Sequence, residues 1–281
     1  MSVEFTIESL KDYSSSMDKS LIDWANENPK YDMILKKNED SKGLYVFGRG
    51  SIRGFGIKFE KKLLKNLVHI RINVFASSTD WEMLYSLISY LSQKSKFKLC
   101  KDGEPFDYKS ITLEQFVEAG KQQWNSDRSI VDSLLSKEDY IKLPNWDIDV
   151  VIYKTQYEGM RKSPDFVNLL TKCLEEKAYR LMSSRRAGII EVNSGRLISV
   201  WNFDDFITQK VDMVSIINPL DEKDYAFVEW DKFIESEYIT SEAIPKDNKE
   251  ESYFFVEGMS EDKRPDIFSY FKDISIDMNS I

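Results

Sequence analysis

Residues 66–75 (NLVHIRINVF) alternate polar and apolar side chains more regularly than any other stretch, and this alternation most constrains the fold. In an extended segment, Val68 and Ile70 lie on one face while His69 and Arg71 lie on the other. The segment therefore predicts a strand in which His69 is partly exposed. The apolar face of such a strand has to be covered by other elements.

Two apolar segments precede this strand, Leu44–Phe47 and Phe55–Phe59, and together the three predict a meander. A helix is predicted next, because Thr79 and Glu82 have the spacing of a capping box and hydrophobic residues follow at helical spacing. Three strands followed by a helix favour a sheet with helices packed on one face. A second capped helix is predicted to begin at Thr112.

The second half of the chain repeats this order of strands and helices. It contains a helix predicted to begin at Ser163 and a hairpin around residues 193–195. The predicted fold class is α+β, with antiparallel sheets, helices packed on one face, and two subdomains. The segment around Pro144 is interpreted as a linker, which places the subdomains at residues 1–140 and 145–281.

Charge is unevenly distributed along the chain. The net charge is −9, yet residues 221–281 alone hold 17 acidic and 7 basic residues. Residues 36–72, which include a glycine-rich hairpin, hold ten basic residues and three acidic ones. The acidic end and the basic segment could attract each other or face partners of opposite charge. The overall acidity argues against non-specific binding of nucleic acid by the whole surface.

Few residues of the types that bind transition metals are present. One histidine, His69, and two distant cysteines, Cys100 and Cys173, exclude a multi-histidine metal site, a paired-cysteine zinc site and a disulfide framework. We expect reduced thiols and no cofactor or bound metal. A secretory signal and a run of 18 apolar residues are also absent from the sequence, so the protein is predicted to be cytoplasmic.

The glycine-rich segment 48–56 (GRGSIRGFG) is the most distinctive part of the sequence. A strand follows it, so it lacks the helix that a dinucleotide-binding loop requires. Backbone N–H groups of such a turn, together with Arg49, Gly50, Arg53 and Lys58, are predicted to bind an anion. The alternative is a turn that needs glycine for positive φ, with its arginines in solvent.

Two other segments suggest binding chemistry. Asp147 and Asp149 flank one residue at the start of a predicted strand, so both carboxylates could hold magnesium on one face, or form only a polar sheet face. Trp201, Asp204 and Asp205 belong to a segment that mixes aromatic rings with acids. That mixture suits a surface for a basic partner, and it equally suits a packed loop.

The residues Gly54-Phe55-Gly56-Ile57, and then the segment 76–82 (ASSTDWE) that opens a helix, resemble an uncharacterised family of Firmicute bacteria. The resemblance covers about residues 45–95 and rests on an order of R-G-F, a strand, and a D-W-E helix. It implies a bacterial, cytosolic protein. That family is a domain of unknown function, so the resemblance assigns no site residues.

No complete catalytic constellation is recognisable in the sequence. We therefore expect a non-enzymatic protein that binds another macromolecule, with a protein as the partner, by analogy with immunity or adaptor proteins. One alternative is binding of an anion or nucleic acid through the basic hairpin. Another is a metal-dependent phosphotransferase or hydrolase that uses Asp147 and Asp149.

Overall fold

The alternating segment lies in the middle of an antiparallel sheet, and the chain is α+β, as predicted. The computed structural model describes residues 2–9, 17–38, 43–62, 65–73, 75–143, 149–192, 194–245 and 252–277. The chain divides into two compact units, Met1–Met182 and Ser183–Ile281.

The first unit contains a long antiparallel sheet and a separate hairpin. The sheet strands are β1 (Ser2–Ser9), β2 (Ile34–Asn38), β3 (Gly43–Phe47), β4 (Phe55–Lys61), β5 (Asn66–Asn73), β6 (Lys98–Lys101) and β7 (Glu104–Pro105). Within the described ranges, their order across the sheet is β2-β3-β4-β5-β1-β6-β7. The hairpin joins β8 (Tyr140–Leu143) to β9 (Val150–Tyr153). The meander predicted from the sequence is therefore β3-β4-β5, extended on both sides.

The helices of the first unit are α1 (Met17–Glu27), α2 (Ser78–Lys94), α3 (Leu113–Leu135), α4 (Lys154–Arg161) and α5 (Phe166–Ser183), with short 3-10 turns at Pro29–Tyr31 and Tyr108–Ser110. The cap predicted at Thr112 is confirmed, and Gln115 completes a capping box with it. The one predicted at Thr79 and Glu82 is wrong. Ser77 caps α2 and Asp80 completes the box, because Ser77 holds the extended backbone that a cap residue needs. The helix predicted from Ser163 begins three residues later, at Phe166.

Two hydrophobic cores lie on opposite faces of the long sheet. On one face, Ile70 and Ile72 of β5 share a core with Leu84 and Leu87 of α2. On the other face, alternate residues of β3 share a second core with the β8–β9 hairpin, α4 and α5. The second core covers the sheet near β3, so the two faces are covered to different extents.

This second core explains where the first unit ends. Tyr45 and Phe47 of β3 are clustered with Val150 of β9 and Leu174 of α5. Residues 149–182 therefore belong with the long sheet, and the division of the chain follows Met182. The sequence led us to expect it at 140–145, and residues 144–148 lie outside the described residues.

Within its described residues, the second unit contains two smaller sheets and two helices. Its strands are β10 (Arg185–Arg186), β11 (Ile189–Glu191), β12 (Leu197–Trp201), β13 (Phe206–Gln209), β14 (Met213–Asn218), β15 (Asp221–Glu229), β16 (Ser241–Pro245) and β17 (Ser252–Val256). Its helices are α6 (Trp230–Ile234) and α7 (Arg264–Asp273), preceded by a 3-10 turn at Glu261–Lys263. In the described part of this unit, the sheet orders are β11-β12-β14-β15 and β10-β13-β17-β16.

Two strand pairs in the second unit are parallel, β12 with β14 and β10 with β13. The predicted α+β class holds, and these two pairs are parallel members of otherwise antiparallel sheets. After β12 the chain forms β13 in the other sheet and then returns as β14, so β12 and β14 run in the same direction. The described helices include none that is both long enough and apolar enough to cross a membrane.

Gly120 of α3 tests the packing of α2 against α3. A Cβ atom at Gly120 would lie 2.4 Å from the Trp81 ring, whereas one at Gly159 of α4 would meet nothing within 4 Å. We expect Gly120→Ala to destabilise the protein by about 1–3 kcal/mol despite the better helix propensity of alanine. Gly159→Ala is the control and should stabilise by up to about 1 kcal/mol. Thermal unfolding measures both, and equal stabilisation by the two variants would contradict this packing.

Candidate functional site

The glycine-rich loop is built around the carboxylate of Asp80, which is fully buried. The backbone N–H groups of Ile52 and Arg53 each donate to its Oδ2 at 3.2 Å, and the N–H of Gly54 donates to Oδ1 at 3.0 Å. The N–H of Ser77 also donates to Oδ2, at 2.8 Å. The loop therefore does bind an anion, and that anion is a side chain of the same protein.

Glycine is required where this loop turns. Gly50 and Gly54 have φ values of 86° and 57°, which side chains disfavour. The hydroxyl of Ser77 donates to the carbonyl oxygen of Gly50 at 2.6 Å, which ties the loop to the start of α2. Burial raises the pKa of Asp80, while the hydrogen bonds from the loop lower it. The backbone of this segment is therefore the alternative given for it above, a turn that needs glycine for positive φ.

The residues predicted to bind an external anion do not come together. Arg49 is on the surface, with its Nη2 3.5 Å from Asp32. Arg53 is buried, and burial lowers its pKa while the charges of Tyr45, Asp80 and Asp149 raise it. Lys58 lies on β4, away from the turn, and is exposed. The four-residue grouping of Arg49, Gly50, Arg53 and Lys58 is therefore not a single site.

Of the three residues predicted to face a partner, Trp201 is buried, whereas Asp204 and Asp205 bind other residues of the second unit. Trp201 is fully buried in the core of the second unit, and its Nε1 donates to the carbonyl of Asp204 at 3.0 Å. Asp204 is exposed and forms an ion pair with Arg264 at 3.0 Å. Asp205 accepts a hydrogen bond from the N–H of Gly258 at 2.6 Å. Trp201 is thus unavailable to a partner, and the packed-loop alternative fits this segment.

The metal hypothesis receives no further support. Asp147 lies outside the described residues, and Asp149 immediately precedes β9. Among the residues that the structure describes, no group of three histidine, cysteine, aspartate or glutamate side chains is arranged to hold a metal ion. A phosphotransferase or hydrolase that uses these two aspartates stays a prediction.

A concavity of about 760 Å³ lies on the face of the long sheet opposite α2. We call it the open-face concavity; its main residues are Glu4, Gly56, Lys58, Glu60, His69 and Arg71. The strand register explains its shape. Gly56 stands between Tyr45 and Arg71 in one cross-strand row, and Gly43 stands beside Lys58 in the next. Because these two glycines have no side chains, the backbone around them forms the bottom of the concavity, which we call the glycine floor.

His69 links the two carboxylates of the open-face concavity. Its Nδ1 lies 3.0 Å from Glu4 Oε1, and its Nε2 lies 3.1 Å from Glu60 Oε2. An imidazolium donates to both carboxylates, whereas a neutral ring donates to one. The hydrogen bond from His69 lowers the pKa of Glu60. His69 is partly exposed on its strand, as predicted, but its two acidic partners were not foreseen.

A family model supports the resemblance noted in the sequence. The family described as Domain of unknown function (DUF4299) matches residues 2–215. The chain belongs to this family. The match extends well beyond residues 45–95, over the first unit and into β14. No curated protein matches the chain.

The sequence contains a signal for the role of Asp80 that a cap at Thr79 overlooks. Ser77 and Asp80 also have capping-box spacing, and the N–H groups of a glycine-rich turn need an acceptor. The polar face of β5 identifies His69 and Arg71 as neighbours two residues apart. Their strand partners Glu4 and Gly56 follow only from the register, which the sequence does not state.

Replacing Asp80 by alanine tests the loop. We expect Asp80→Ala to lower the free energy of unfolding by at least about 3 kcal/mol, since several buried N–H groups lose their acceptor at about 1–3 kcal/mol each. Formate or acetate should partly restore thermal stability to this variant, and chloride at equal ionic strength should not. The wild type serves as the control. An Asp80→Ala protein as stable as the wild type would show that the loop does not depend on the carboxylate.

We expect Glu175 of α5 to make the stability of the protein depend on pH. Burial raises its pKa from 4.5 to about 7, and the charges of Asp80 and Glu176 act in the same direction. The Glu175 carboxyl loses its proton at a lower pH in the unfolded chain than in the folded protein. The contribution of Glu175 to stability therefore falls as the pH rises from 4.5 to about 7. We expect Glu175→Gln to reduce this slope in urea unfolding at a series of pH values. Glu158 is exposed, so the control variant Glu158→Gln should keep the wild-type slope. Identical slopes in all three proteins would show that Glu175 is not responsible for the change of stability with pH.

Proposed function

We propose that this protein is a non-enzymatic binding protein whose partner is another protein, and that the partner docks in the open-face concavity. The observation that supports this most directly is the concavity itself, at about 760 Å³. That volume lies within the range of about 300–1,000 Å³ typical of ligand sites. It is enough to receive a few side chains of a loop or an extended segment.

The lining favours a polypeptide partner. The glycine floor allows the main chain of another molecule to approach the strands closely. Acidic Glu4 and Glu60 alternate with basic Lys58 and Arg71 around that floor. A mixed pattern of charge restricts the register and orientation of a bound segment more than it adds affinity.

The arrangement of titratable groups favours binding over catalysis. His69 and the two glutamates are hydrogen-bonded to one another. The carboxyl groups whose pKa is raised, Asp80 and Glu175, are not part of the lining. Acid–base catalysis usually places such groups in the cleft where the substrate binds.

This proposal keeps the kind of function inferred from the sequence, but it places the partner-binding surface in a different part of the chain. Recognition of the immunity or adaptor type is here assigned to the first unit, because Trp201 is buried. We also propose that the protein acts in the cytoplasm of a bacterium. Cys100 and Cys173 form no disulfide in the part of the chain that the structure describes, which is usual in a reducing compartment.

Filling the concavity tests the proposal. A Cβ at Gly56 would meet no atom within 4 Å, so Gly56→Val should fold and occupy the floor. Gly188, which is exposed and equally unobstructed, provides the matched control Gly188→Val. Peptides selected from a random phage-displayed library on the wild type would be measured by fluorescence anisotropy. We expect roughly tenfold weaker binding to Gly56→Val and unchanged binding to Gly188→Val.

Thermal unfolding of both variants shows that they are folded. Equal binding of every selected peptide by Gly56→Val and the wild type would place the binding surface elsewhere. Failure to select any peptide from the library would count against a polypeptide partner.

A further inference from the structure

We infer that the open-face concavity recognises an acidic side chain of its partner, and that Lys58 and Arg71 hold the carboxylate. This inference rests on the proposed function, because it concerns the same surface, and it adds the chemistry of the ligand. Four observations on the lining lead to it.

The two cations stand on either side of the glycine floor. Lys58 pairs with His69 across β4 and β5, and Gly56 pairs with Arg71. Lys58 and Arg71 are therefore diagonal neighbours on the same sheet face, at about 7–8 Å between backbones. Long side chains at that separation can both reach one carboxylate placed over Gly56.

Lys58 and Arg71 are not engaged in ion pairs within the described residues, although Glu4 lies opposite Arg71 on the neighbouring strand. In the part of the chain that the structure describes, no carboxylate lies within ion-pair distance of Lys58 or Arg71. The acids that could serve are already bound. Glu4 pairs with His69, and Glu60 pairs with both His69 and Lys62.

Arg71 is oriented for recognition. Its Nε donates to Ser2 Oγ at 2.9 Å, which fixes the plane of the guanidinium group. Among the described residues no hydrogen bond is formed by its two terminal nitrogens, and they match the two oxygens of a carboxylate. Lys58 adds a flexible single charge from the neighbouring strand.

The floor leaves room for the ligand group. Gly56 offers open space above the sheet, and Gly43 has no side chain beside Lys58. A carboxylate on a flexible side chain could reach both cations there without displacing a side chain of the sheet. The inferred occupant is therefore an acidic segment, carrying glutamate or aspartate side chains.

The test uses a fluorescein-labelled peptide of alternating glutamate and serine, with a glutamine-for-glutamate peptide as the uncharged probe. The proteins are the full-length wild type, Lys58→Gln, Arg71→Gln and Arg71→Lys. Lys19→Gln removes an exposed charge from α1, whose buried residues pack on the other sheet face, and is the matched control. Thermal unfolding confirms that each variant is folded.

We expect the wild type and Lys19→Gln to prefer the glutamate peptide, and salt to weaken its binding. Lys58→Gln and Arg71→Gln should each bind it roughly tenfold more weakly. Arg71→Lys should recover only part of that loss, because the paired hydrogen bonds are missing.

Two results would overturn the inference. One is equal binding of the glutamate peptide by Lys58→Gln, Arg71→Gln and the wild type. The other is binding of inorganic phosphate or a single-stranded oligonucleotide without binding of the glutamate peptide. In either case, binding of the library-selected peptides decides whether the proposed function stands. If Gly56→Val binds them more weakly than the wild type, the proposed function stands with another ligand chemistry. If Gly56→Val binds them as well as the wild type, both proposals fail.

Discussion

The carboxylate of Asp80 organises the first unit. Removing this charge from water is unfavourable, and four backbone N–H groups offset that cost by donating to it. The same bonds join the β3–β4 loop to the first turn of α2. Ile52 thereby enters the second core, and Arg53 is held in the interior. A loop whose glycines suggested an external ligand is in fact an internal connection.

The unequal covering of the long sheet creates the candidate site. Among the described residues, the core that includes α2 covers one face, and the second core covers the other face near β2 and β3. The remaining part of that face carries the polar residues of β1, β4 and β5. At Gly43 and Gly56 no side chain projects from this face, so the backbone itself forms the surface there.

Local features of the fold were predictable from the sequence, and long-range ones were not. Alternation located β4 and β5, and spacing located the cap at Thr112, since both depend on near neighbours. The acceptor for the glycine loop lies 26 to 28 residues away, at Asp80. The parallel pairing of β12 and β14 likewise depends on which sheet β13 joins. The burial of Trp201 depends on how the elements of the second unit pack together, which composition alone does not reveal.

The alternation in β5 separates two sets of requirements along one strand. Val68, Ile70 and Ile72 maintain the interior, while His69 and Arg71 belong to the surface that we assign to recognition. Substitutions at every second position could therefore change ligand preference while the folded state keeps its stability. Relatives that share the scaffold could differ in what they bind through a few outward residues, and the same positions offer a route to redesigning specificity.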